Sequence, residues 1–110
     1  MEKLNVVVIG GGPGGYVAAI KAAHLGLTVG LVEKDALGGT CLNRGCIPTK
    51  ALVKSAEVWR ELNHAADFGF HTGELSVDFS QVLSRKNRIV TALVGGIEQL
   101  VKSNRIKPYK

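Results

Sequence analysis

The stretch Gly10-Gly11-Gly12-Pro13-Gly14-Gly15 constrains the fold more than any other, because it separates an apolar run from a helical pattern. The apolar run, residues 4–9, is rich in β-branched residues and predicts a strand buried on both faces of a parallel sheet. Residues 16–25 then repeat apolar and small side chains at helical spacing, and Gly26 is suited to the helix C-terminus. A second apolar run, residues 28–32, ends at Glu33. This order predicts a βαβ unit.

Three of these glycines fit the pattern G-x-G-x-x-G: Gly10, Gly12 and Gly15. The first permits a tight turn, the second lets the backbone approach a pyrophosphate, and the third lets the helix pack on the strand. Glu33 stands where an acidic side chain can accept hydrogen bonds from a ribose, and an acid there disfavours NADP relative to FAD or NAD. The alternative is a glycine turn that binds nothing. The predicted nucleotide contacts in this unit are Gly10, Gly12, Pro13, Gly14, Gly15, Glu33 and Lys34.

Two amphipathic helices follow a loop over residues 35–45. The first is predicted over residues 49–66, with Pro48 in its first turn. Its apolar face contains Leu52, Ser55, Ala56, Trp59 and Leu62. Trp59 could contact a cofactor, but its place in that face favours packing in the core or against another helix.

The second helix is predicted to begin after Asp78, as N-cap, and to run to about Ser103. Residues 67–77 connect the two, so we expect an antiparallel helical pair that packs on the βαβ unit. Gly95-Gly96 within the second helix suggests the close approach of another element. Residues 106–110 are suited to a further extended segment. The predicted fold class is α/β.

Composition excludes little. The formal net charge is +5, with much of the positive charge late in the chain. A nucleic-acid-binding protein is one interpretation, but the basic residues do not alternate with aromatic ones, and a solvated helix face is favoured. No apolar run approaches the roughly 20 residues of a membrane-spanning helix. We therefore expect no membrane segment and a cytoplasmic or equivalent reducing compartment.

Both cysteines, Cys41 and Cys46, lie in one short segment with four residues between them. A metal site is disfavoured, because zinc takes four ligands and the three histidines are scattered along the chain. Two inert thiols are a second interpretation. The third is a reversible disulfide, with Gly45 giving the backbone freedom and Cys46 next to a helix start that favours a thiolate. A dithiol and a flavin both exchange two electrons, which favours this third interpretation.

The segment from Gly38 to Leu52, GGTCLNRGCIPTKAL, resembles the active-site signature of the pyridine nucleotide-disulfide oxidoreductases. The amino-acid sequence around the cysteines is most similar to that of the dihydrolipoamide dehydrogenases of 2-oxo acid dehydrogenase complexes. Residues 10–15 and Glu33 are similar to the same family's FAD-binding opening. The resemblance covers essentially the whole chain.

This resemblance implies a role for each matching residue. Cys41 would be the thiol that meets dihydrolipoamide, and Cys46 the thiol beside the flavin. Gly39, Thr40 and Lys50 would lie along the cofactor. The family implies bound FAD, NAD as co-substrate, the lipoyl domain as partner, and a homodimer.

The chain departs from the family in length. The resemblance therefore predicts that residues 1–110 are the N-terminal part of an FAD-binding domain, without the NAD-binding and interface domains. The family's acid/base histidine belongs to the interface domain, and no residue here can be assigned that role. We accordingly expect weak or no stable FAD binding and no complete NAD-linked turnover by this chain alone. The alternatives are a glutathione-type or mercuric-type disulfide reductase, or a nucleotide-binding module without catalysis.

Overall fold

The computed structural model describes all 110 residues and shows a mixed α/β molecule with a small parallel sheet, as predicted. The elements in chain order are β1 (Val6–Ile9), α1 (Pro13–His24), β2 (Val29–Val32), α2 (Gly39–Arg44), α3 (Cys46–Asn63), α4 (Phe79–Ser103) and β3 (Lys107–Tyr109), with a short 3-10 turn at Ala65–Phe68. The predicted βαβ unit, the antiparallel helical pair and the extended C-terminal segment are all present.

The sheet has the order β1-β2-β3, and each neighbouring pair is parallel. Val8 lies opposite Leu31, and Val6 lies opposite Val29. Parallel strands need long crossover connections, and here α1 makes the first one, while α2, α3 and α4 together make the second. The carboxyl ends of all three strands therefore lie at one edge of the sheet.

The core lies between the sheet and two of the helices. Its buried members are Ala19 of α1, Val29 and Leu31 of β2, Val101 of α4, and Ile106. Small residues in α1 allow this close packing, since Ala19 is fully buried against the sheet.

The prediction that the first strand is buried on both faces is wrong for this chain. Val7 is 54% exposed and Ile9 is 85% exposed. Their side chains point to the face opposite the core, because successive residues of a strand alternate between faces. A continuous apolar run indicates that both faces are suited to burial, but no element of this chain covers the second face of β1.

The helices α3 and α4 pack antiparallel and extend away from the sheet, which gives the molecule a long dimension of 67 Å. The guanidinium of Arg85 on α4 donates a hydrogen bond of 2.9 Å to the carbonyl oxygen of Ala51 on α3. Asp78 caps α4 as predicted, accepting from the backbone N–H of Gln81 at 3.2 Å. Trp59 lies on the face toward α4, as predicted, but remains 39% exposed and is not part of the core.

Two further predictions about the helices need correction. The first helix of the pair begins at Cys46 and ends at Asn63, and not at residues 49 and 66. Pro48 lies in its first turn as predicted, where a missing N–H costs no hydrogen bond. At Gly95 and Gly96 an added Cβ would meet no atom within 4 Å. The expected close approach is therefore absent within this chain, and α4 runs through both glycines. No helix is both long and apolar enough to cross a membrane.

Candidate functional site

The glycine-rich turn after β1 brings the strand and α1 together as the pattern predicts. Gly10 has φ +104°, a left-handed conformation that side chains disfavour. A Cβ added at Gly15 would lie 1.6 Å from the carbonyl oxygen of Gly10. No side chain fits there, so the third glycine of the pattern is required by the packing of α1 against β1.

The N-terminus of α1 is open for a ligand. Gly12 is its N-cap, Pro13 occupies its first turn, and no side chain caps the helix. The N–H groups of the first turn, including those of Gly14 and Gly15, have no partner within a helix. An added Cβ at Gly14 would meet no atom within 4 Å. This arrangement of free donors and open space fits a pyrophosphate.

Glu33, at the end of β2, lies beside this turn. Its carboxylate accepts hydrogen bonds from the backbone N–H of Gly11 at 2.7 Å and of Asp35 at 2.8 Å. These bonds, led by that from Asp35, lower the pKa of Glu33 below its ordinary value. Glu33 is therefore an anion held against the turn, with lone pairs left for a ribose hydroxyl.

Gly11 takes part in this contact, although it is not among the predicted nucleotide contacts. Its side-chain position is closed, since an added Cβ would lie 2.7 Å from Cδ2 of Leu37 and 3.1 Å from Oε2 of Glu33. The unbroken run Gly10-Gly11-Gly12 was the sequence feature that could have indicated this requirement for glycine.

The two glycines before the cysteines hold the cysteine segment against the glycine-rich turn. Gly38 donates its N–H to the carbonyl oxygen of Gly11 at 2.8 Å. At Gly39, where φ is +59°, an added Cβ would lie 2.8 Å from Cα of Gly12. The predicted nucleotide site and the predicted redox site therefore meet backbone to backbone.

The prediction that residues 35–45 form a loop is wrong in its second half, where α2 places Cys41 inside a helical turn. Leu42 of α2 is buried. Asn43 donates from Nδ2 to the carbonyl oxygens of Leu37, at 3.1 Å, and Gly39, at 2.9 Å. These bonds satisfy backbone groups that a loop would leave to water. Asn43 is thus a positioning residue that sequence reasoning missed, although its place between the cysteines was a signal.

Cys46 is the first residue of α3, with Gly45 between the two helices. A Cβ at Gly45 would lie 3.0 Å from the carbonyl oxygen of Thr40, so the turn between the cysteines is tight. Both cysteines are free thiols here; Cys41 is half-buried, and Cys46 is exposed.

The neighbouring thiol of Cys46 influences the ionisation of Cys41. A hydrogen bond with Cys46 is the largest cause that raises the pKa of Cys41, followed by burial, while the charge of Lys50 acts in the opposite direction. The predicted residues Gly39, Thr40, Cys41, Cys46 and Lys50 therefore share one neighbourhood. The three histidines lie elsewhere in the chain, at the end of α1 and beyond the end of α3.

This geometry, a glycine-rich turn joined by a backbone hydrogen bond to the segment that carries both cysteines, agrees with the result of sequence comparison. Residues 4–109 match the family described as pyridine nucleotide-disulphide oxidoreductase. The chain belongs to this family. The fold class and the resemblance predicted from the sequence are thereby confirmed.

Relatives in the family share about half of their residues with this chain. It is 51% identical over 105 residues to a dihydrolipoyl dehydrogenase of Bacillus subtilis (strain 168), a match that covers 96% of this chain and 22% of the relative. It is 49% identical to a dihydrolipoyl dehydrogenase of Acholeplasma laidlawii, over 98% of this chain and 32% of the relative. A dihydrolipoyl dehydrogenase of Halobacterium salinarum is 51% identical over 91% of this chain and 21% of the relative. The chain thus spans a fifth to a third of the length of these oxidoreductases.

Proposed function

We propose that this chain forms the FAD-binding and redox-disulfide part of a dihydrolipoyl dehydrogenase. The observation that carries the proposal is the hydrogen bond between Gly38 and Gly11, because it joins the dinucleotide turn to the cysteine segment. The relatives' shared name supports the same reaction. In this proposal residues 1–110 are part of one FAD-binding domain, and the enzyme works in the cytoplasm or an equivalent reducing compartment.

The residues around the turn fit FAD. The free N–H groups at the start of α1 would hold the pyrophosphate, and Glu33 would accept from the ribose hydroxyls of the adenosine. Gly39, Thr40 and Lys50 would line the flavin end. Pro13 and Lys34 complete the proposed contacts. When bound, FAD would accept two electrons from the dithiol and pass them to NAD.

The thiol chemistry follows from the two cysteines. A thiolate of dihydrolipoamide attacks Sγ of Cys41 in the Cys41–Cys46 disulfide, so that a mixed disulfide forms and Cys46 leaves as a thiolate. The second substrate thiol then gives up its proton and attacks the substrate sulfur of the mixed disulfide, so that the disulfide of lipoamide forms and Cys41 leaves and takes up a proton. Two electrons enter the protein for each lipoamide released.

The environment of each sulfur supports attack at Cys41 with Cys46 as the leaving thiolate. The raised pKa of Cys41 means that it keeps its proton in the reduced pair and can donate it in a hydrogen bond to Cys46. The N-terminus of α3 favours negative charge at Cys46. The exposed position of Cys46 leaves it accessible on the side where we propose the flavin lies.

The substrate thiol also has to lose a proton, and no histidine of this chain lies at the site. We therefore expect no turnover with NAD by this chain alone, because turnover needs an enzyme that supplies the base. The exchange of the Cys41–Cys46 disulfide with dihydrolipoamide should still take place. The homodimer that the resemblance implies stays a prediction.

A redox titration tests the proposal. The chain is equilibrated in buffers with different ratios of dihydrolipoamide to lipoamide, and its free thiols are then alkylated. Mass spectrometry gives the number of alkylated thiols. We expect one two-electron transition between an intramolecular Cys41–Cys46 disulfide and a dithiol. The Cys46→Ser variant is the control, and it should show no intramolecular disulfide.

Parallel titration in glutathione buffers, together with equilibrium dialysis against FAD, separates the alternatives. Equilibration with glutathione but not with lipoamide would favour a glutathione-type reductase. Binding of FAD with cysteines that stay reduced in every buffer would leave a nucleotide-binding module and overturn the redox assignment.

A further inference from the structure

The helix that carries Cys41 is too short to be stable through its own hydrogen bonds. α2 has six residues, whereas an isolated helix shorter than roughly 12 residues is marginal in water. Its N-cap, Gly38, has φ +96°, and no side chain caps the helix. Contacts with other parts of the chain therefore have to hold Cys41 in place.

Asn43, which follows Cys41 in α2, makes such a contact. Its Nδ2 donates hydrogen bonds to the carbonyl oxygens of Leu37, at 3.1 Å, and Gly39, at 2.9 Å. An amide nitrogen of this kind carries two hydrogens, so both donors of the side chain are used. Both acceptors come before Cys41 in the chain. One side chain thus closes residues 37–43 into a ring that contains this cysteine.

The ring is attached to fixed parts of the molecule where it begins. Leu37 packs against the hydrophobic core, and the N–H of Gly38 donates to the carbonyl oxygen of Gly11 at 2.8 Å. Leu42, next to Cys41, is buried. The two hydrogen bonds of Asn43 therefore connect the residues after Cys41 to backbone that already has a defined position.

Cys46 owes its position to a different element. It is the first residue of α3, which has 18 residues and packs against α4. An added Cβ at Gly45 would lie 3.0 Å from the carbonyl oxygen of Thr40, so the backbone turns tightly between α2 and α3. The separation of the two sulfurs in the reduced chain therefore depends on how firmly α2 holds Cys41.

We propose that Asn43 raises the effective concentration of the Cys41 thiol at Cys46 and so shifts the equilibrium of the pair toward the disulfide. The proposal rests on the redox function proposed for the two cysteines and adds a positioning residue to it. When a segment is already ordered in the dithiol form, closing the disulfide costs little further chain entropy. Without Asn43 the reduced segment gains freedom that disulfide formation has to remove again.

Equilibration with 2-mercaptoethanol and 2-hydroxyethyl disulfide measures this effect with a reagent that is not the proposed substrate. The protein dithiol gives two electrons and two protons to 2-hydroxyethyl disulfide. The S–S bond of the reagent breaks to give two molecules of 2-mercaptoethanol, and the Cys41–Cys46 bond forms. The remaining thiols are alkylated and counted by mass spectrometry. The equilibrium constant, which has units of concentration, is the effective concentration of the pair.

We expect this constant to fall about five- to tenfold in Asn43→Ala, which loses both hydrogen bonds. Asn43→Asp keeps the size of the side chain, but its carboxylate has no hydrogen to donate, so the constant should fall similarly. Arg44→Ala is the matched control. Arg44 forms only an exposed ion pair with Asp35, so the constant should stay within about twofold of the wild-type value.

A second control separates positioning from overall stability. Val101 of α4 is buried in the core, so Val101→Ala should lower the free energy of unfolding but leave the equilibrium constant unchanged. Circular dichroism checks that each variant is folded. Equal falls of the constant in Asn43→Ala and Val101→Ala would overturn the proposal.

Two further outcomes separate this proposal from the redox function on which it rests. A wild-type chain that forms the disulfide, with an unchanged constant in Asn43→Ala, would overturn the role of Asn43 and leave the redox function standing. A wild-type chain that forms no Cys41–Cys46 disulfide at any buffer ratio would overturn both.

Discussion

The backbone N–H of Gly38 donates a hydrogen bond to the carbonyl oxygen of Gly11 over 2.8 Å. Gly38 begins the cysteine segment, and Gly11 lies within the glycine-rich turn, 27 positions earlier in the chain. This bond and the neighbouring contact of Gly39 with Gly12 fix how far the two parts of the site can move apart. Substitutions that disturb this junction should therefore affect nucleotide binding and thiol chemistry together.

Gly15→Ala and Gly96→Ala should have opposite effects on stability. At Gly15 the new Cβ meets the carbonyl oxygen of Gly10 at 1.6 Å, so β1 and α1 have to separate, at a cost of about 3 kcal/mol or more. At Gly96, within α4, it meets nothing within 4 Å, and the gain in helix propensity is about 0.5–1 kcal/mol. Urea unfolding measures both. Equal effects of the two substitutions would contradict the packing described at the turn.

Asn43→Ala should destabilise the cysteine segment much more than Arg44→Ala does. Asn43 donates to two carbonyl oxygens that its loss leaves without these partners, which costs about 1–3 kcal/mol. Arg44 forms an exposed ion pair with Asp35 at 3.0 Å, and such pairs contribute about 0–1 kcal/mol. Unfolding free energies give the comparison, and amide exchange at α2 should be faster only in Asn43→Ala.

Glu33→Gln should destabilise the chain at neutral pH, and the destabilisation should become smaller as the pH falls. The hydrogen bonds from Asp35 and Gly11 lower the pKa of the folded carboxyl below its unfolded value. The stabilisation is therefore present above the unfolded pKa and is lost as the pH falls through the folded pKa. Unfolding free energies at pH 7 and pH 3 test this. Glu61→Gln, at an exposed position on α3, is the matched control, and the same pH-dependent difference there would refute the assignment to Glu33.

Cys46→Ala should make Cys41 more reactive toward iodoacetamide in mildly alkaline buffer. The hydrogen bond with Cys46 is the largest cause that raises the pKa of Cys41, so its removal increases the thiolate fraction at a given pH. The pH dependence of the alkylation rate should shift to lower pH. Rates are measured with both proteins fully reduced, and an unchanged or upward shift would show that the two thiols do not interact in solution.

The local parts of the fold could be predicted from the sequence, because each rests on a short-range rule. The glycine spacing predicts the βαβ unit. Asp78 predicts the start of α4, because its carboxylate can accept a hydrogen bond from a free N–H of the first turn, as it does here from Gln81. The need for glycine at Gly10 and Gly15 follows from backbone sterics that any chain shares.

The remainder depends on contacts between distant residues, which periodicity does not reveal. The turn at Cys41 is helical because Asn43 and the buried Leu42 stabilise it, and neither residue breaks a loop-like pattern. Val7 and Ile9 have strand character, but their exposure depends on which elements are present to cover them. The junction of Gly38 with Gly11 likewise joins segments that no local pattern connects.

Trp59 has a practical consequence as the only tryptophan of the chain. It lies in the wall of the groove between α3 and α4, 13 positions along one helix from Cys46, or about 20 Å. Its intrinsic emission therefore comes from a single place, with no second tryptophan to obscure the signal. A shift of that emission to shorter wavelength would report that the groove has become dry, without any attached dye.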